Sequence, residues 1–155
     1  MNTLIQAALL SILPIAELRG GIPLGLATGN PFLLVFIICV LANLLVIPIV
    51  FVFLDSLHGI FYTIPLYKKL FDKIVDRTRK KAEKNFAKYE YWALFLFVAI
   101  PLPITGAYTG TLAAWLLGVN KRKAFLYLGL GVLVAGVIVS VVALLGIKAL
   151  SVFIK

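Results

Sequence analysis

The sequence predicts an all-α integral membrane protein made of two inverted repeats, each a re-entrant helical hairpin followed by a transmembrane helix, joined by a basic amphipathic cytoplasmic helix. Three observations predict it. First, of 155 residues 63% are hydrophobic and 14% charged, where soluble domains hold about 45–50% and 25%. A soluble domain of this size buries only about 70% of its unfolded surface, so the remaining apolar surface must meet lipid or another subunit. Second, two apolar runs are long enough to cross a bilayer. Third, a shift of 89 positions lays Leu13-Pro14-Ile15 on Leu102-Pro103-Ile104, and Gly21 and Gly29 on Gly110 and Gly118, the mark of an internal repeat.

The first repeat covers residues 1–60. Its opening segment, Leu4 to Ala27, carries Glu17 and Arg19 and lacks the basic run that begins a secretory signal, so it is expected to be retained. Gly21, Gly25 and Gly29 recur every four residues and form a small-residue stripe for close helix packing. Pro14 and the run Glu17-Leu18-Arg19-Gly20-Gly21 predict a break, because proline removes a donor and glycine permits a turn. Pro31 to Leu57 follows as a span of roughly 40 Å, with Pro48 expected to kink it and Asn43 to bond a neighbouring helix. Cys39, the single cysteine, is read as packing. Asp55 and His58 fall at the inner end, where water is available.

Residues 61–90 form the linker. From Leu66 to Glu90 it holds Lys68, Lys69, Lys73, Arg77, Arg79, Lys80, Lys81, Lys84 and Lys88, punctuated by Leu66, Leu70, Phe71, Ile74 and Val75 at helical spacing. Such a helix lies on the inner surface, where lysine and arginine gather and can meet anionic lipid. The second repeat covers residues 91–155. Tyr91 to Gly118 carries the matching stripe Gly106, Gly110, Ala114 and Gly118, with a break at Pro101, Pro103 and Thr105-Gly106. Ala124 to Leu150 is the second span.

Length leaves two readings for the glycine-striped segments, since each could span the bilayer fully or turn back halfway. Charge favours turning back. With hairpins, twelve basic residues lie inside against Lys148 and Lys155 outside; with four simple spans, eleven lie inside against Lys121, Arg122 and Lys123. A hairpin plus one span crosses once per half and makes the repeats inverted, an architecture found in secondary transporters.

Ionisable groups at membrane depth are costly, so Glu17 and Arg19 require compensation. One reading has them neutralise each other. In the other, Arg19 and the backbone N–H groups that begin a returning half-helix near Ile22 attract an anionic group, and Glu17 loads and releases a proton as the site changes access. The second hairpin offers Thr105, Tyr108, Thr109 and Thr111, which either bind a solute or satisfy carbonyls freed by the prolines. Tyr108 aligns with Arg19 in the repeat, so the two are expected to face one another across a central site. No nucleophile is paired with a base and no metal-ligand cluster appears, so no enzyme, cofactor or metal is expected. The charge of +9 sits beside hydrophobic segments and is read as topology, not as a nucleic-acid surface.

The run Glu17-Leu18-Arg19-Gly20-Gly21-Ile22-Pro23-Leu24-Gly25, with Pro101-Leu102-Pro103-Ile104-Thr105-Gly106-Ala107-Tyr108-Thr109-Gly110, resembles the small multidrug export protein family over nearly the whole chain. That family is similar to the DedA superfamily, whose members are described as having two facing re-entrant hairpins and as moving lipids, lipid phosphates or other solutes. The superfamily pattern also implies arginines in or after the second hairpin, and 94–118 contains none. The resemblance implies a multi-pass cell-membrane transporter or exporter of a small solute or drug-like compound, in contact with membrane lipid and working as a homo-oligomer. A lipid scramblase or flippase is the alternative, and a non-transporting assembly factor a third reading.

Overall fold

The computed structural model describes residues 2–62, 89–102 and 105–153. The linker helix expected over 66–90 lies, except for Tyr89 and Glu90, outside the described residues, as does Pro103. Six helices occupy the described residues: α1 (Thr3–Ile12), α2 (Glu17–Ala27), α3 (Phe32–Phe61), α4 (Glu90–Ala99), α5 (Ala107–Leu117) and α6 (Lys121–Phe153). Each half is thus two short helices followed by one long one. Two stretches, Phe32–Gly59 and Lys121–Ala149, are long and apolar enough to cross a membrane. Both helices outrun the apolar segments read from sequence: α3 continues through Pro48 and past Leu57 to Phe61, and α6 takes in Lys121, Arg122 and Lys123 before the apolar run.

Each glycine-striped segment divides into two helices of 10 and 11 residues, each about 15 Å long. Leu13 and Ile100, just before the breaks, are extended, so both helices stop short of the prolines. The chain then reverses. Gly21 lies against Ser11 and Ala7, Gly25 against Ala7 and Val35, and Asn30 Nδ2 donates to Thr3 Oγ1 at 3.0 Å. Those pairings run antiparallel, and they leave the open end of the α1–α2 pair beside the start of α3. In the second half Gly110 lies against Val98 and Leu128. Tyr91 packs on Tyr127 at 5.4 Å and Trp115 Nε1 donates to Asp55 Oδ1 at 2.9 Å. The outer ends of α4 and α5 therefore lie beside the end of α3 and the start of α6.

The break in the first half falls at 13–16, not at Gly20-Gly21. Both glycines are inside α2, because the space they leave is taken by α1. Gly29 and Gly118 also depart from the expected stripe. They adopt left-handed backbone, φ +79° and +67°, and finish α2 and α5 instead of packing.

Ile22, Val35, Ile47, Leu128 and Val132 form the centre of the core. Asn43 lies there too, 1% exposed, and its Nδ2 donates to the Ser11 carbonyl at 2.8 Å, the helix-to-helix bond expected of it. Ser11 is in the last turn of α1, where carbonyls have no partner within the helix. Asn43→Leu therefore removes the partner of a buried acceptor, and the midpoint of unfolding in detergent should fall by the equivalent of about 1–2 kcal/mol. An unchanged midpoint would deny the bond a structural role.

Candidate functional site

The site forms where the breaks of the two pairs meet. Glu17 opens α2 and Arg19 follows it within the first turn, while Thr105, Ala107 and Tyr108 surround the start of α5. Gly106, which precedes α5, has no side chain to cap it, so the first N–H groups of α5 need an acceptor from elsewhere. Glu17 supplies it across the gap: Oε2 accepts from the Ala107 N–H at 3.3 Å and Oε1 from the Tyr108 N–H at 3.4 Å. A carboxylate at a helix N-terminus also faces the positive end of the helix dipole. The Arg19 guanidinium donates through Nη2 to the Thr105 carbonyl, and the Tyr108 hydroxyl donates to the Ile12 carbonyl at the end of α1. Each half thus satisfies backbone groups that the helix ends and the break of the other half leave open.

Glu17 and Arg19 make no ion pair with one another, which departs from the reading in which they neutralise each other. Their charges still act on one another, and each also bonds backbone groups of the opposite pair. The returning helix begins at Glu17, so the N–H of Ile22 lies within α2 and is not a helix-start donor. Glu17 itself has φ +47°, in the left-handed region that non-glycine residues seldom occupy.

A cavity of about 330 Å³ opens at this junction, lined by Pro14, Ile15, Ala16, Glu17, Arg19, Thr105, Tyr108 and Thr109. Arg19 and Tyr108, which share a register position in the repeat, both line it. Behind them the packing is close: the void bounded by Asn43, Pro101, Val132 and Val139 holds about 10 Å³, the lower limit for one water. Of the hydroxyls, Thr105 serves its own break, donating to the Ile100 carbonyl at 2.6 Å and accepting from the Leu102 N–H at 3.0 Å. Thr111 Oγ1 donates to the Ala107 carbonyl at 2.6 Å and Thr109 Oγ1 to the Gly106 carbonyl at 3.4 Å. Gly20 and Gly21, expected at the site, do not line the cavity; Gly20 packs on Leu10 and Ala16. Gly106 is where the close approach occurs, since a Cβ there would lie 2.0 Å from Glu17 Oε2.

Residues 17–138 match the family model described as "Putative small multi-drug export protein". The chain belongs to this small multi-drug export family. The matched region begins at Glu17, directly after the break that follows α1, includes the break after α4, and ends within α6, so every polar residue of the cavity falls inside it. No curated protein and no solved structure matches the chain. Among the described residues no group of histidine, cysteine, aspartate and glutamate could hold a metal ion.

Sequence reasoning missed two parts of the family member's site. The Ile12 carbonyl could have been inferred, because a helix ending before Pro14 leaves acceptors open. Glu17 as the cap of α5 had a weaker signal: α5 starts without a capping side chain, and Glu17 is the sole carboxylate in either striped segment. Asp55 and His58 lie outside the cavity, where Asp55 ion-pairs with Lys121 and the His58 ring meets Trp115 at 5.3 Å.

Proposed function

We propose that the chain is a multi-pass membrane transporter that exports a small solute or drug-like compound through the cavity where two re-entrant hairpins meet. The observation that carries this reading is the reciprocal set of bonds from Glu17, Arg19 and Tyr108 to backbone groups at the helix ends and in the break of the opposite half. Such bonds can break and re-form without exposing a helix core, as a carrier that changes access requires. In this reading α1 and α4 each enter about halfway, since 15 Å is half of a hydrocarbon layer of about 30 Å, and the cavity lies near the midplane. The two halves are inverted, with the residues 66–90 loop, Lys121, Arg122 and Lys123 on the cytoplasmic side. Glu17 is the proton-coupling group and Arg19 the solute anchor. Ile15, 99% exposed beside the cavity, supports a homo-oligomer or lipid contact at that depth.

The test uses proteoliposomes of phosphatidylcholine and phosphatidylglycerol under an imposed pH gradient. Ethidium, a cation, and rhodamine B, a net-uncharged zwitterion at neutral pH, report solute movement, and a nitrobenzoxadiazole-labelled phospholipid reports lipid equilibration. Wild type should move at least one dye in response to the gradient while labelled lipid stays in its leaflet, and Glu17→Gln and Arg19→Ala should each slow the dye by about tenfold or more. Lipid equilibration without dye movement would transfer the site to a scramblase. Dye movement that ignores the gradient would remove the proton role from Glu17.

A further inference from the structure

The polar cavity has an apolar neighbour. A groove of about 320 Å³ runs between α3 and α5, lined by Ile49, Val50, Phe53 and Leu112 together with Tyr108 and Thr109. Tyr108 and Thr109 also line the polar cavity, so the two spaces share a wall and differ sharply in chemistry. Ile49 and Phe53 are 60% and 59% exposed on a helix apolar enough to cross a membrane, so the groove opens to lipid and not into the protein. The void behind Glu17 and Arg19, by contrast, holds only about 10 Å³.

We infer that the site takes an amphiphile from the bilayer, its hydrogen-bonding, net-uncharged head in the Glu17–Arg19 cavity and its apolar tail in the α3–α5 groove, entering past Tyr108 and Thr109. This inference rests on the transport reading above and adds the substrate class and the direction of entry. While Glu17 is ionised, as its place at the positive end of α5 favours, Glu17 and Arg19 contribute one charge of each sign, so a charged head would leave an excess charge at membrane depth. Tail and head belong to one molecule because each space alone is at the lower edge of volumes that hold a drug-sized ligand, while together they fall well within it. A lipid acyl chain could occupy the groove alone, but it would leave the polar cavity unused.

The experiment measures binding in phosphatidylcholine nanodiscs, with nitrobenzoxadiazole-methylamine and nitrobenzoxadiazole-hexylamine as probes. They share one uncharged head and differ only in the tail. Saturable fluorescence anisotropy above that of empty discs gives each affinity. Leu112→Trp fills the groove from its exposed side and should weaken the hexyl probe by about tenfold or more while leaving the methyl probe within about twofold. Leu112→Ser, which makes the same wall polar, should act in the same direction and guards against a packing artefact of the larger residue. Arg19→Ala should weaken both probes. If both Leu112 variants bind the hexyl probe as wild type does, the groove is not part of the site and the inference falls, although loss of methyl binding in Arg19→Ala would still uphold the cavity. If wild type binds neither probe saturably, the inference falls and the transport reading is decided by the dyes alone.

Discussion

Gly21→Ala should cost the protein its fold, with most of the expressed chain lost from the monodisperse fraction in detergent. A Cβ at this position would lie 1.9 Å from Ser11 Oγ and 2.5 Å from the Ala7 carbonyl oxygen. The hydroxyl can rotate away, but the carbonyl is backbone inside α1, so relief requires α1 and α2 to separate. Overpacking of a core costs about 1–3 kcal/mol where side chains can move, and a backbone obstruction places this substitution at or above the upper end. Separation would also pull Ser11 from Asn43 and shift the first-half break from which Glu17 and Arg19 project. The control is Gly146→Ala in α6, where nothing lies within 4 Å of the added carbon. There alanine should be neutral or stabilising by about 0.5–1 kcal/mol, because glycine is the poorer helix former. Equal yields and equal unfolding midpoints for the two variants would show that the approach of α1 to α2 is not tight.

Gly106→Ala is expected to do the reverse, sparing the fold and abolishing function. Its backbone, φ 162°, is extended and open to any residue, so the substitution brings no backbone strain. The added carbon would instead lie 2.0 Å from Glu17 Oε2 and 2.6 Å from Cδ, and the carboxylate must leave the start of α5. Losing a hydrogen bond to a charged group is worth about 1.5–3 kcal/mol, so dye movement in proteoliposomes should fall by about tenfold or more while the folded yield stays near wild type. Shortening the acid should restore room, and Glu17→Asp combined with Gly106→Ala should recover part of the activity that either change alone removes. Wild-type transport by Gly106→Ala, or a double variant no better than the single one, would separate Glu17 from the start of α5.

Much of this architecture could be read from residues alone. The long spans follow from unbroken apolar composition, and the division of each striped segment follows from Pro14 and Pro101, before which the chain turns extended, although Pro23 and Pro48 sit inside helices that continue through them. The repeat placed Tyr108 opposite Arg19, and both line one cavity. What could not be read was the role of individual glycines. Gly20-Gly21 has the same local signature as a turn, and only the proximity of Ser11 and Ala7 makes it a packing face. Gly29 and Gly118 fit a four-residue stripe equally well, yet they end helices, because periodicity carries no information about φ. The compensation of Glu17 was hidden for a related reason. Helix caps are sought among neighbouring residues, whereas this one arrives from 90 positions away.

The strained backbone of Glu17 bears on how such a chain could have arisen by duplication. Residues held at φ near +47° cost on the order of 1–3 kcal/mol unless they are glycine. The register that superimposes the halves sets Glu17 on Gly106, the one residue that must stay small for the carboxylate to reach α5. Glutamate in both copies would collide, and glycine in both would leave two helix starts uncapped. An ancestral pair of identical halves could therefore not have made this junction, and the two copies, once diverged, are no longer interchangeable.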